Sequence, residues 1–143
     1  GLIPTGELMD VAGTPFDFRT AKAIGQDIKA SNEQLKLGKG YDHNFVLKDT
    51  PSNELIEAAT VYEANSGRTL TVYTEEPAVQ FYSGNFLDGS TQQASGLVHN
   101  FRSGFCLEPQ HFPDAPNQPT FPSTTLLPGD VYSTRIVYEF GTK

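Results

Sequence analysis

Ala58-Ala59-Thr60-Val61-Tyr62-Glu63, then Ala64-Asn65-Ser66-Gly67, then Arg68-Thr69-Leu70-Thr71-Val72-Tyr73-Thr74: the reading of this run decides the fold class. Its two flanks are rich in β-branched and aromatic residues, which fit a pleated surface better than a helix. The four residues between them include Asn65 and Gly67, two types that tolerate the positive φ of a tight connection, so the run reads as a β-hairpin. Working outward, residues 131–140 set Tyr132, Thr134, Ile136, Tyr138 and Phe140 on one face and Val131, Ser133, Arg135, Val137 and Glu139 on the other. That period of two predicts a strand with one buried side. Residues 42–48, 54–57, 78–82 and 103–108 read as further strands. Only 21–37 has loose helical spacing, through Ile24, Ile28, Leu35 and Leu37, and Gly25 and Ser31-Asn32 interrupt it, so it holds at most a short helix or turn. The stretch 109–128 carries six prolines and reads as an ordered surface loop, since each Pro lacks a donor and pushes its predecessor to extended geometry. The sum is an all-β chain, an antiparallel β-sandwich, with no internal repeat.

Composition narrows the function. The chain has 143 residues and a formal net charge of −7, with a sequence pI of about 4.8. That balance argues against nucleic acid and against anionic lipid, both of which need Lys and Arg to neutralise phosphate. Ten Phe and six Tyr supply aromatic area for a core. No apolar run approaches the roughly 20 residues of a membrane span. Cys106 stands alone, which rules out an internal disulfide and a thiolate metal cluster. A lone cysteine fits a reducing cytoplasm, and secreted or periplasmic locations stay open because the opening Gly1-Leu2-Ile3-Pro4 has no initiator Met.

Three clusters place polar groups among apolar or aromatic ones. In Gly40-Tyr41-Asp42-His43-Asn44-Phe45-Val46-Leu47, strand alternation sets Asp42 and Asn44 on one face, where Asp42 needs either a partner or a wet cavity. Asp42 reads equally as a turn-capping residue at a strand entry. In Gln80-Phe81-Tyr82-Ser83-Gly84-Asn85-Phe86-Leu87-Asp88-Gly89, rings beside amides suit a sugar surface, and a plain strand running into an Asp88-Gly89 turn suits the same residues. In Phe105-Cys106-Leu107-Glu108-Pro109-Gln110-His111-Phe112-Pro113-Asp114, Glu108 ends a short apolar strand. Burial there would raise its pKa and poise it as a general base, whereas pairing with a surface Arg such as Arg102 would make it structural.

The remaining polar residues read blandly. His43, His99 and His111 lack the spacing of a zinc site. Cys106 reads as a small buried apolar residue. Glu75-Glu76-Pro77 reads as a solvated strand end. No phosphate-cradling Gly-rich loop and no nucleophile elbow occurs, so nucleotide binding and acyl transfer lack a carrier.

Seven motifs, taken in order, resemble the aldose 1-epimerases (galactose mutarotases): Leu2-Ile3-Pro4-Thr5-Gly6-Glu7, Gly13-Thr14-Pro15-Phe16-Asp17-Phe18-Arg19, Gly40-Tyr41-Asp42-His43-Asn44-Phe45, Ser66-Gly67-Arg68, Thr74-Glu75-Glu76-Pro77, Gln80-Phe81-Tyr82-Ser83-Gly84-Asn85 and Leu107-Glu108-Pro109-Gln110-His111-Phe112-Pro113-Asp114-Ala115-Pro116-Asn117. The resemblance implies a galactose-mutarotase-like supersandwich, of which residues 1–143 are the C-terminal portion of one domain with its N-terminal half absent. It implies Glu108 as the catalytic base and Asp42 and Gln80 as substrate-binding residues for a monosaccharide, a hexose such as galactose or glucose. It implies no metal and no organic cofactor. The family's general-acid histidine belongs to motifs upstream of Leu2, so none of the three histidines present is assigned that duty. By this resemblance the 143 residues alone are expected to be inactive. An exposed half-sandwich would favour self-association or pairing with the missing half. The alternative reading is a non-catalytic carbohydrate-binding β-sandwich, for which Gln80, Asn85 and the aromatics would suffice.

Overall fold

The hairpin read from residues 58–74 is present, as β2 (Ile56–Tyr62) and β3 (Arg68–Thr74). The two pair antiparallel from Ile56 opposite Thr74 to Tyr62 opposite Thr69, with a bulge between Glu57 and Ala59. The strands expected at 54–57 and 58–63 are thus one element, kinked rather than broken. The turn is closed by Glu63, whose carboxylate accepts from Asn65 N (2.9 Å), Ser66 N (2.8 Å) and Ser66 Oγ (2.5 Å). Gly67 takes φ +71°, and a Cβ there would meet the Lys143 carbonyl oxygen at 2.6 Å.

The structure is a computed structural model describing residues 2–48 and 52–143, and it divides into two units. Residues 1–43 with 81–106 form the first, and 44–80 with 107–143 the second. The strands make two three-stranded sheets. One has the order β2-β3-β6, with β6 (Ile136–Thr142) antiparallel to β3 from Arg68 opposite Thr142 to Thr74 opposite Ile136. The other has the order β1-β4-β5, with β1 Asp42–Val46, β4 Ala78–Tyr82 and β5 Cys106–Gln110. Ser83 N donates to the Tyr41 carbonyl and Leu47 N to the Pro77 carbonyl, each at 2.9 Å, so β1 and β4 run antiparallel. The all-β expectation holds. Among the described residues, helix is confined to α1 (Glu33–Gly38) and a 3₁₀ turn at Ala115–Asn117. No helix among the described residues is long and apolar enough to cross a membrane.

In the first unit, α1 starts where Asn32 Oδ1 accepts from Gln34 N (2.9 Å) and Leu35 N (3.3 Å), and it stops at Lys39 in the left-handed region. Its Leu35 is buried, as are Ile28, Tyr41 and Phe81. The Tyr41 ring stacks on Phe81 at 5.3 Å and meets Phe16 and Phe18 edge-on. In the second unit the buried residues include Val72, Thr74, Ala78, Val79, Phe112 and Ala115.

Two strand readings need correction. The strand placed at 131–140 begins only at Ile136, and all seven of its residues are exposed, so neither face is buried. Alternation says which residues share a face, but not whether anything covers that face. The strand placed at 103–108 is shifted to Cys106–Gln110 and takes in Pro109. β5 is an outer strand of its sheet, the place where a residue without an N–H can sit.

Candidate functional site

β4 and β5 are neighbours in one sheet, and they carry Gln80 and Glu108 in the second unit. Gln80 is half-buried and Glu108 is exposed. The expectation that the apolar strand buries Glu108 is therefore not met: β5 is the outer strand, and nothing described covers this position. Arg102 Nη2 donates to the Lys39 carbonyl (2.8 Å), and its guanidinium lies 4.6 Å from the centre of the Phe101 ring. Asp42 opens β1 in the first unit and is half-buried. Asn44, two residues along β1, has a buried Nδ2 with no hydrogen-bond partner among the described residues.

The Gln80–Gly89 cluster divides by burial. Phe81, Ser83 and Asn85 are all buried, so they present no surface to a sugar. Their polar atoms serve the backbone instead. Tyr41 N donates to Ser83 Oγ (3.0 Å), Ser83 Oγ to Asn85 Oδ1 (2.8 Å), and Asn85 Nδ2 to the Tyr41 (2.7 Å) and Gly38 (3.1 Å) carbonyls. Gly40, at φ +140°, leaves room for this amide, since a Cβ there would overlap Asn85 Oδ1. A groove of about 410 Å³ in the same unit is lined by Ile24, Ile28, Ser83, Arg102 and Phe105, and holds none of Asp42, Gln80 or Glu108.

Each histidine has its own surroundings. His43 Nδ1 accepts from Asp42 N (2.9 Å) and its ring lies 4.6 Å from Phe16. Burial pushes its pKa below the ordinary imidazole value, which favours the neutral ring that this acceptor nitrogen requires. His99 lies outside every strand. His111 follows β5 directly, and its Nδ1 is 2.9 Å from Glu76 Oε2. Among the described residues no three His, Cys, Asp or Glu side chains gather into a set that could hold a metal ion.

Glu76 is the residue the sequence reading missed. Read as part of a solvated strand end, it is 3% exposed. Its Oε1 accepts from the Tyr132 hydroxyl, and its Oε2, with no hydrogen bond among the described residues, lies 2.9 Å from His111 Nδ1. The carboxylate holds the Tyr132 hydroxyl pKa above its ordinary value, because ionising the phenol would break the bond and set two anions together. Glu75 is shielded too, held by Arg135 through Nη2 (2.6 Å) and Nε (2.7 Å). The available signal was local: an acidic pair placed directly before Pro77 and an apolar strand. Its partners lie as far as 60 residues away.

A family profile described as aldose 1-epimerase matches residues 1–139. Human galactose mutarotase is 48% identical over 139 residues, a region that is 97% of this chain and 39% of that protein. Aldose 1-epimerase of Escherichia coli K12 is 42% identical over 142 residues, 98% of this chain and 40% of that protein. Among solved structures, an aldose epimerase homologue from C. elegans superposes with a TM-score of 0.81 at 33% identity, covering 98% of this chain and 40% of its own. Galactose 1-epimerase from Lactobacillus acidophilus gives 0.67 at 26% identity, covering 99% and 39%. The chain spans about two-fifths of the length of the curated relatives it matches. With the seven motifs lying within a match that runs almost end to end, the chain belongs to the aldose 1-epimerase family.

Proposed function

We propose that this chain carries the base and two sugar contacts of an enzyme that interconverts the α and β anomers of a hexose. Glu108 takes the proton from the C1 hydroxyl, whose oxygen becomes the aldehyde carbonyl as the bond from C1 to the ring oxygen breaks. A general acid protonates the ring oxygen. Rotation about C1–C2 and reclosure on the other face returns both protons and inverts the anomer. Asp42 and Gln80 hold hydroxyls of the same sugar. The acid is not assigned to His43, whose Nδ1 is an acceptor, or to His111, which faces Glu76. It is expected from a family segment outside these residues.

The family match over residues 1–139, with Asp42, Gln80 and Glu108 in their motifs, carries this reading. An exposed Glu108 can be reached by substrate, and its strand is fixed beside the one bearing Gln80. The binding-module alternative is weakened, because Asn85 and Phe81 are interior.

The test is the rate of anomer equilibration of α-galactose, followed by polarimetry, in the chain and in the longest product of its gene. Glu108→Gln is expected to lower kcat by about 10²–10⁴-fold, the range of a lost general base, with sugar affinity largely kept. A wild-type rate in this variant would overturn the assignment.

A further inference from the structure

Outside the three proposed site residues, the second unit buries a carboxylate that the reaction does not use. Glu76 lies two residues before β4 and four before Gln80; His111 follows β5 and lies three residues after Glu108. Glu76 receives the Tyr132 hydroxyl on one oxygen, and the other lies 2.9 Å from His111 Nδ1. Its backbone N–H donates to Thr74 Oγ1 at 2.9 Å. The Tyr132 segment is held a second time, through Arg135 on Glu75 and through Glu75 N donating to the Arg135 carbonyl (3.1 Å). A carboxylate costs far more to bury than an apolar side chain unless every oxygen is met, so its presence here needs a reason beyond filling space. Position is that reason: packed apolar groups can slide, whereas a carboxylate bonded to the Tyr132 hydroxyl and 2.9 Å from an imidazole nitrogen holds both rings beside it by charge and contact.

We propose that Glu76 is a positioning residue. Through His111 it locks the end of β5 against the start of β4, and so sets Glu108 relative to Gln80. This rests on Glu108 being the base and Gln80 a sugar contact. Tyr132 closes the other side of Glu76, and its ring lies 6.1 Å from that of His111.

The experiment compares Glu76→Gln, Tyr132→Phe, His111→Phe and His111→Asn with wild type, each in the longest product of the gene. The last puts an amide N–H near the place of Nδ1, whereas Phe keeps the ring and loses the donor. Misplacing a base by an ångström is expected to lower kcat on the order of 10–100-fold, with galactose affinity by calorimetry within about twofold of wild type. His111→Asn is expected to recover most of the loss seen in His111→Phe. A folded Glu76→Gln with wild-type kcat overturns the proposal, as does His111→Asn performing no better than His111→Phe. Should Glu76→Gln not fold, Tyr132→Phe removes a single bond and is judged by the same kcat criterion. If the longest product of the gene itself fails to equilibrate anomers, the assignment of Glu108 falls and the clamp is judged by amide exchange. Glu76→Gln should then speed exchange at Leu107, Glu108 and Gln110 on the order of tenfold, and unchanged rates would overturn it.

Discussion

Two regions of this chain spend hydrogen bonds in opposite ways. In the first unit, the turn from Gly38 to Tyr41 is held by side chains: Ser83 and Asn85 are buried and spend their polar atoms on backbone groups of Gly38 and Tyr41. In the second, β6 is held to β3 by a backbone ladder of seven residue pairs, and every one of its side chains is exposed. The first region is therefore sensitive to the identity of each residue, because an unmet buried donor or acceptor cannot turn to water. The second depends on backbone geometry and is nearly indifferent to which side chains it carries.

The sharpest way to break this comparison is Asn85→Leu. It strips the Tyr41 and Gly38 carbonyls of a buried donor and should cost about 3 kcal/mol or more, read from urea unfolding by circular dichroism since the chain has no Trp. A loss under 1 kcal/mol would show that water replaces the amide. Next comes Gly40→Ala, which forces a Cβ toward Asn85 and Arg102 at φ +140° and should cost about 2 kcal/mol in the same assay. Tyr41→Phe removes one bond, the hydroxyl to the Pro15 carbonyl (3.0 Å), and should cost about 1 kcal/mol. That hydroxyl, its pKa pushed up to about 12 by burial and then by Asp27, should stay un-ionised in a spectrophotometric titration to pH 11. On β6, where Phe140 is 78% exposed, Phe140→Thr should stay within about 0.5 kcal/mol of wild type. A larger loss there would mean that the strand has a face in use.

The β2–β3 turn sharpens the same contrast through pH. Three donors from Asn65 and Ser66 hold the Glu63 carboxyl down at about 2, from an ordinary value of 4.5, with the Ser66 hydroxyl the largest cause. A depressed carboxyl contributes stability that is complete above its unfolded value and fades as pH falls toward its folded one. Glu63→Gln should therefore flatten the stability profile between about pH 4.5 and pH 2 while leaving its shape at neutral pH unchanged, as thermal melts across that window would show.

Such contrasts also explain what could be read from the chain in advance. The β2–β3 hairpin was legible because its cause is local: β-formers on both sides of a turn whose Glu63, Asn65, Ser66 and Gly67 complete their own bonds. A short helix or turn within 21–37 was also legible, but Asn32, read as an interruption, is in fact its N-cap. Burial was not legible. Phe140 and Tyr138 look like core residues and are exposed, and Asn85 and Glu76 look like surface ones and are buried, the partners of these last two lying far along the sequence. Gln80 and Glu108 came from motif resemblance, and their placement on adjacent strands is a matter of topology that no local pattern encodes. Glu108 was expected to be buried, and a position on an outer strand made it otherwise.

Gly40 and Asn85 have a consequence for how this sequence can drift. The amide fills the space where any larger residue at 40 would put its first carbon, so position 40 cannot gain a side chain while Asn85 stays. Across descendants of this chain, a lineage that acquires a side chain at 40 should be found to have replaced Asn85 first.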